Sequence, residues 1–288
     1  MSDMLDRLIC NAFLKFNISI RRINKSKDWD LELYKELYDN NALKNKRFYN
    51  VGAGPEFFHP CWTNIDYQSE FYPQSNIGIN FDLTCNSPFP IDDNVAEVVY
   101  SSNTIEHIPD SSVQNMFNES YRILKKNGYI RITAPDIDLY YRALRENDLH
   151  FYWWRDMYSS PEMIKRSQLK SPMNSCSLKQ VFLVSFAGQT STLVKDPKKV
   201  INDDEFDRIF GTMSFEDALD YCVSFCTPNF GYHMNWFSKQ KVIDMLKKAG
   251  FSKIVVSGYG QSYCPVMRNT NMFDHVRPKE SFYIESQK

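Results

Sequence analysis

The chain has almost no net charge, no paired cysteine motif and no apolar run of membrane-spanning length, and each lack removes a class of function. With 34 lysines and arginines against 35 acids, the formal charge is −1, which leaves no electrostatic footprint for nucleic acid. Seven cysteines (Cys10, Cys61, Cys85, Cys176, Cys222, Cys226 and Cys264) are an odd number without CxxC spacing. Neither a disulfide framework nor a zinc site is therefore expected, nor any other metal, and a reducing, cytoplasmic setting follows as the expectation. No transmembrane segment and no signal peptide are read. Against these absences stand 288 residues, 43% of them hydrophobic, ample for one large domain or one domain with an insertion.

The chain is organised around FYNVGAGPEFFHPCWTNID, Phe48 to Asp66. Phe48, Tyr49 and Val51 form a short β-prone run that stops at Gly52-Ala53-Gly54, where small residues let backbone approach a ligand. Thr63, Asn64 and Ile65 offer a second strand, with Asp66 at its carboxyl end, placed to accept hydrogen bonds from a ribose diol. A turn leaving a buried parallel strand is the usual ligand position in a doubly wound sheet, so a nucleotide-like cofactor is expected. The third glycine of the dinucleotide fingerprint is missing, because Gly54 is followed by Pro55-Glu56-Phe57. A side chain at Gly52 or Gly54 is expected to abolish cofactor binding while the fold survives.

Further along, Ile77 to Phe81 reads as a third strand ending at Asp82-Leu83, where a carboxylate would take an adenine amine and Leu83 would cover the ring; a loop cap is the other reading of Asp82. Val95 to Tyr100 reads as a fourth strand with Ser101, Ser102 and Asn103 at its mouth. Ser111 to Lys126 has apolar residues at helical spacing with Gly128 as a stop, and Tyr129 to Thr133 is a strand that ends at Asp136, itself a helix cap or an orienting acid. Before the core, Met4, Leu5, Leu8, Ile9, Phe13, Leu14 and Phe16 repeat at helical spacing among basic residues. The expectation there is a cap helix, with peripheral contact to an anionic membrane surface as the alternative. Asp30 to Leu43 is read as a second helix.

These residues resemble the class I S-adenosylmethionine-dependent methyltransferases over about Phe48 to Pro135 and again from about Tyr232 to the C-terminus. VGAGP is similar to the first motif, Asp66 to the ribose-binding acid, FDL to the adenine-binding strand end and SSNTIEHI to the motif after the fourth strand. ESYRILKKNGYIRITAPD, GYHMNWFSKQKVIDMLKKAGF and SFYIES look like the later helix and strand segments. NVGAGP, WTNID and the RPxxSxYIE run beginning at Arg277 resemble small bacterial methyltransferases of surface-polysaccharide pathways. One departure is Asn50 where the family often has an acid; an asparagine can still hydrogen-bond the amino-acid part of the cofactor.

The resemblance implies an α/β fold, a Rossmann-like doubly wound sheet of seven mostly parallel strands with an antiparallel last strand and a helical insertion after the fifth. It implies S-adenosyl-L-methionine as cofactor, held by Asn50, Gly52, Ala53, Gly54, Asp66, Asp82, Leu83, Ser101 and Ser102. The organisation becomes a helical cap over 1–46, a cofactor-binding core over 47–137, an insertion over 138–230 and the rest of the core over 231–288. Tyr140, Tyr141, Phe151, Tyr152, Trp153 and Trp154 in the insertion are either the cover's own core or a surface for stacking sugar rings. Cys222 and Cys226 share a helical face and read as packing.

The implied reaction is methyl transfer to a small-molecule or glycan acceptor, an O-methylation for which a hydroxyl must lose its proton. His107, just after the fourth strand, and His233, opening the returning segment, are the candidate catalytic residues, with packing as the bland reading. His59, His150 and His275 read as loop residues. A nicotinamide-dependent oxidoreductase or sugar-modifying enzyme, and a non-catalytic module that only binds the cofactor, are the alternatives.

Overall fold

Four buried residues, Phe48–Val51, make the central strand β1, and its burial on both faces is what a parallel strand between two helical layers requires. A computed structural model describes residues 29–68, 76–228 and 231–288. The expected amphipathic helix from Met4 to Phe16 lies outside these described residues. The chain divides into two compact units, Met1–Asn40 and Asn41–Lys288. The described part of the first is essentially helix α1 (Trp29–Leu37), with acids in its first turn and Lys35 reaching back to Glu32 at 3.0 Å. Helix α2 (Asn40–Lys44) follows, so the single helix expected from Asp30 to Leu43 is two.

The sheet of the second unit adds β2 (Trp62–Asp66), β3 (Ile79–Asn80), β4 (Ala96–Ser102), β5 (Leu124–Pro135), β6 (Lys253–Val256) and β7 (Ser281–Gln287). Its order is β3-β2-β1-β4-β5-β7-β6. β1 pairs in parallel with β2 and β4, β2 with β3, and β4 with β5. β7 runs antiparallel to both β5 and β6. The seven-stranded, doubly wound architecture is thus present, with the order reversing between β1 and β4, and a ligand crevice belongs at the carboxyl ends of those strands.

The remaining helices are α3 (Asp110–Ile123), α4 (Ile137–Arg145), α5 (Trp154–Met157), α6 (Pro161–Arg166), α7 (Leu178–Phe186), α8 (Asp203–Thr212), α9 (Phe215–Val223) and α10 (Lys239–Ala249). α3 and α10 lay their apolar stripes on the sheet, closing a core with Val51, Ile65, Val99, Ile130 and Ile132. α4 to α9 form the insertion, with a second buried cluster centred on Phe182, Phe186, Leu193, Phe206 and Leu219.

Two expectations are corrected here. The third strand is only Ile79–Asn80, because Asp82 caps a short 3-10 turn instead. α3 stops at Ile123 and the chain enters β5 directly, since Leu124 already pairs with Ala96. Gly128 therefore does not end the helix. A Cβ there would meet the carbonyls of Glu97 and Lys125 at 3.0 Å, so its place is a close backbone approach.

A buried cation ties the C-terminal loop to the sheet. Arg131 on β5 is fully buried and pairs with Asp274 at 2.5 Å and Glu285 at 2.8 Å, while donating to Ser257 and to the Gly258 carbonyl. Tyr100 accepts from the Asp274 amide at 2.7 Å. Held in this way, the loop carries Val276 and Arg277 to the mouth of the sheet.

Candidate active site

The turn after β1 is shaped by two glycines with left-handed φ, Gly52 at +69° and Gly54 at +67°. The Gly52 amide donates to Ile65 at 2.8 Å, and the Gly54 amide donates to Asp66 Oδ2 at 2.6 Å. Asp66 Oδ1 accepts from Tyr67 at 2.7 Å. The acid at the end of β2 is therefore clamped to the turn it was expected to complement. Burial pushes its carboxyl above the ordinary value, and the two backbone donors oppose that rise.

The two glycines differ in what surrounds them. A Cβ on Gly52 would sit 2.2 Å from the Thr104 side chain, whose hydroxyl donates to the Gly52 carbonyl at 3.2 Å. A Cβ on Gly54 would meet nothing within 4 Å. Gly52 locks the turn against the loop after β4; Gly54 faces open space.

That space is a cavity of about 450 Å³, within the roughly 300–1,000 Å³ of small-molecule sites. Of the expected cofactor residues, Gly52, Ala53, Gly54, Asp66, Asp82, Leu83 and Ser102 line it. Asp82 holds its turn by accepting from the Thr84 amide at 2.8 Å and hydroxyl at 2.7 Å, so both readings of this acid apply at once. Phe81 of the expected adenine-binding strand end is also in the wall, as are Tyr67, Thr104 and Val276, which were not among the expected cofactor residues.

Asn50 and Ser101 are not in that wall. Asn50 is buried in β1, and strand alternation puts it on the face of Phe48, which packs against Trp62, away from Tyr49 and Val51. Ser101 is buried one residue out of phase with Ser102, its hydroxyl without a partner. At a strand end the period of two decides which of two adjacent serines meets the ligand.

The surroundings of the two candidate histidines are assembled from three separate segments. His107 belongs to the 3-10 turn Ile105–His107 after β4, and its Nδ1 lies 3.0 Å from the Tyr232 carbonyl. His233 Nδ1 lies 2.6 Å from the carbonyl of Ser185 on α7. The returning segment is fixed on both flanks, since Met234 donates to the Glu106 carbonyl and Gly188 to the His233 carbonyl, each at 2.9 Å. The two imidazoles meet edge to face with centroids 4.8 Å apart. Both expected histidines are thus brought together.

Burial holds the His107 imidazole below its ordinary range, and burial with the neighbouring His107 pushes His233 down to about 3. Both rings are neutral near neutral pH. Beside them Glu106 is 2% exposed, and neither of its oxygens has a hydrogen-bond partner of ordinary geometry. Burial pushes its carboxyl up to about 7, against its own backbone amide, the Asn103 side chain and the charge of Arg277.

His107 lines the cofactor cavity, whereas His233 lines a second one of about 120 Å³ with Tyr140, Trp154, Tyr158, Gln168 and Arg277. Tyr140 donates to Glu280, which also pairs with Arg277 at 3.3 Å. Of the insertion's aromatic run, only Tyr140 and Trp154 reach this wall. Tyr141 stacks on Phe215 at 4.2 Å inside the cover, Tyr152 is buried and Trp153 is exposed, so most of the run is packing.

Other candidates have structural work. Burial raises the thiols of Cys222 and Cys226 to about 12 and about 11, which makes them inert packing groups. Asp136 caps α4 by accepting from Asp138 and pairs with Lys239. His59 Nδ1 accepts from Cys61 at 3.1 Å, as a loop residue would.

Residues 58–132 match the family described as a methyltransferase domain. No protein of curated function matches the chain. Among solved structures, the fold is similar to a methyltransferase of Thermotoga maritima described as a possible histamine N-methyltransferase, at 14% identity over 90% of this chain and 87% of that one, with a TM-score of 0.38. It is also similar to a methyltransferase of Archaeoglobus fulgidus, at 12% identity over 90% and 93% of the two chains, with a TM-score of 0.40. The family match covers β2 to β5, between the turn and acid of the cofactor cavity and the last parallel strand. Taken with the sheet order and that cavity, the match supports a methyltransferase with S-adenosyl-L-methionine as its cofactor.

Proposed function

We propose that the enzyme transfers the methyl group to a hydroxyl of a sugar or surface-glycan precursor. The observation that carries this reading is the pairing of two cavities through the His107–His233 contact, the larger one suited to the cofactor and the smaller one walled by aromatic and polar side chains. Tyr140 and Trp154 supply the aromatic part of that wall, and Gln168 and Arg277 offer hydrogen bonds to sugar hydroxyls. Methyl transfer is an in-line displacement at the sulfonium, so the protein must hold the acceptor oxygen against the methyl carbon and help its proton leave. His107 and His233 are the acceptor-side residues of that step.

The test begins with calorimetry using S-adenosylmethionine, S-adenosylhomocysteine and NAD. The reading expects the first two to bind and NAD not to. Incubation with methyl-labelled S-adenosylmethionine and a panel of nucleotide sugars, oligosaccharides, amines and phenols should then label the sugars as methyl ethers. Label found only in amines or phenols would overturn the proposed acceptor.

A further inference from the structure

We propose that Glu106, His107 and His233 form a binding site for a divalent transition-metal cation of the manganese, iron, cobalt or zinc kind. The inference rests on the reading of the smaller cavity as the acceptor's, and it names how the junction acts on the acceptor oxygen.

The first observation is geometric. One ligand atom from each of the three side chains lies within 4.8 Å of the others, the only such group of three among the described residues. Bonds of about 2.0–2.2 Å put two ligands of one ion at most roughly 4.4 Å apart, so small side-chain shifts close the set. Two imidazoles and one carboxylate with the remaining positions open is a donor set suited to these cations.

The second observation concerns the lone pairs. Each Nδ1 lies within hydrogen-bond distance of a main-chain carbonyl, Tyr232 for His107 and Ser185 for His233, and a carbonyl can only accept. Nδ1 therefore carries the hydrogen in both rings, and each Nε2 is left as a bare acceptor. Metal-bound histidines are oriented in this same manner, by donating the other ring N–H to a carbonyl or carboxylate.

The third observation is Glu106 itself. Its two oxygens are buried with no hydrogen bond of ordinary geometry, an arrangement that is costly for a carboxylate unless a cation meets it or it takes up a proton. Arg277 is the nearest competing charge, but it is engaged by Glu280 and faces the smaller cavity across the Trp154 ring. A cation held by the three ligands stands between the two cavities, so an acceptor hydroxyl entering beside His233 could complete its coordination and be polarised there.

The experiment uses the full chain, stripped with a chelator and dialysed, then titrated with Mn²⁺ followed by electron paramagnetic resonance and with Zn²⁺ followed by calorimetry. One ion per chain is expected. Glu106→Gln, His107→Ala and His233→Ala should each weaken binding by more than the roughly 10- to 100-fold lost with an outer ligand partner. Circular dichroism and thermal denaturation report whether each variant is folded. Should a variant fail to fold, the optical spectrum of the Co²⁺-loaded wild type reports imidazole ligation without any mutation. Wild-type protein that takes up neither Mn²⁺ nor Zn²⁺ at millimolar concentration, or a folded Glu106→Gln variant that binds as the wild type does, would overturn the site. Because metal uptake is read directly, its failure is distinct from a failure to methylate sugars.

Discussion

The two cavities that meet at His107 are built in different ways. The cofactor cavity is made from what the chain does at the ends of neighbouring parallel strands: a glycine turn, an acid one strand over and a capped turn at the next strand's end. Its key bonds, from Gly54 to Asp66 and from Thr84 to Asp82, span few residues. The smaller cavity, proposed for the acceptor, is made of side chains from the insertion, the returning segment and the C-terminal loop, brought together over long sequence separations. A site built on strand ends is nearly given once the sheet forms, whereas one built on an insertion depends on how a second hydrophobic cluster packs.

Six substitutions would break or sharpen that contrast. Gly52→Val should have the largest effect. The added side chain meets Thr104 at 2.2 Å in a left-handed conformation, for a cost of roughly 2–6 kcal/mol from strain and overpacking together. Thermal denaturation should show that loss, in contrast to the expectation from sequence that either glycine could be replaced with the fold intact. Gly54→Val carries the left-handed strain of about 1–3 kcal/mol without the clash, so it should be destabilised less than Gly52→Val and lose the cofactor; wild-type affinity in that variant would remove the turn from the site.

On the acceptor side, His107→Ala and His233→Ala should each lower turnover by about 10²- to 10⁴-fold, the range for a positioned group that helps a hydroxyl proton leave. Cofactor affinity measured by calorimetry should change little in His233→Ala, because His233 lines only the smaller cavity. If both variants turn over as the wild type does, the acceptor lies elsewhere and the two cavities are unrelated.

The carboxylates should give smaller, graded effects. Asp66→Ala should weaken cofactor binding by about 1.5–3 kcal/mol, the scale for hydrogen bonds to a charged group, and it also frees the Gly54 amide. Asp82→Ala should cost about 0.5–1.5 kcal/mol, since an adenine amine is a neutral donor and Thr84 loses its cap. Equal dissociation constants for these two variants would show that the strand ends do not divide ribose from base as their order suggests.

Legibility followed the same divide. The β1 turn, Asp66, Asp82 and the apolar stripe of α3 could be read because each is a local pattern with a local cause, a small residue at a positive φ or a 3.6-residue period. Asn50 and Ser101 lie outside the wall of the larger cavity, and at the end of β4 strand alternation puts Ser102 in that wall and Ser101 out of it. Glu106 was passed over because in sequence it is one acid of TIEHI. Its place in the apolar run between Ile105 and Ile108 was the one signal of burial.

By itself the sequence determined the sheet, the glycine turn, the strand-end acids and hence the kind of cofactor, because backbone conformation, side-chain period and turn chemistry act over a few residues. Only the tertiary structure decided that His233 reaches His107, that Glu106 is buried beside both with no hydrogen bond of ordinary geometry, and which two of six aromatic residues line the smaller cavity. Those outcomes depend on loop closure and packing between distant segments, where the hydrogen bonds of Met234 and Gly188 stitch one strip of chain to two others, and no local pattern encodes that meeting.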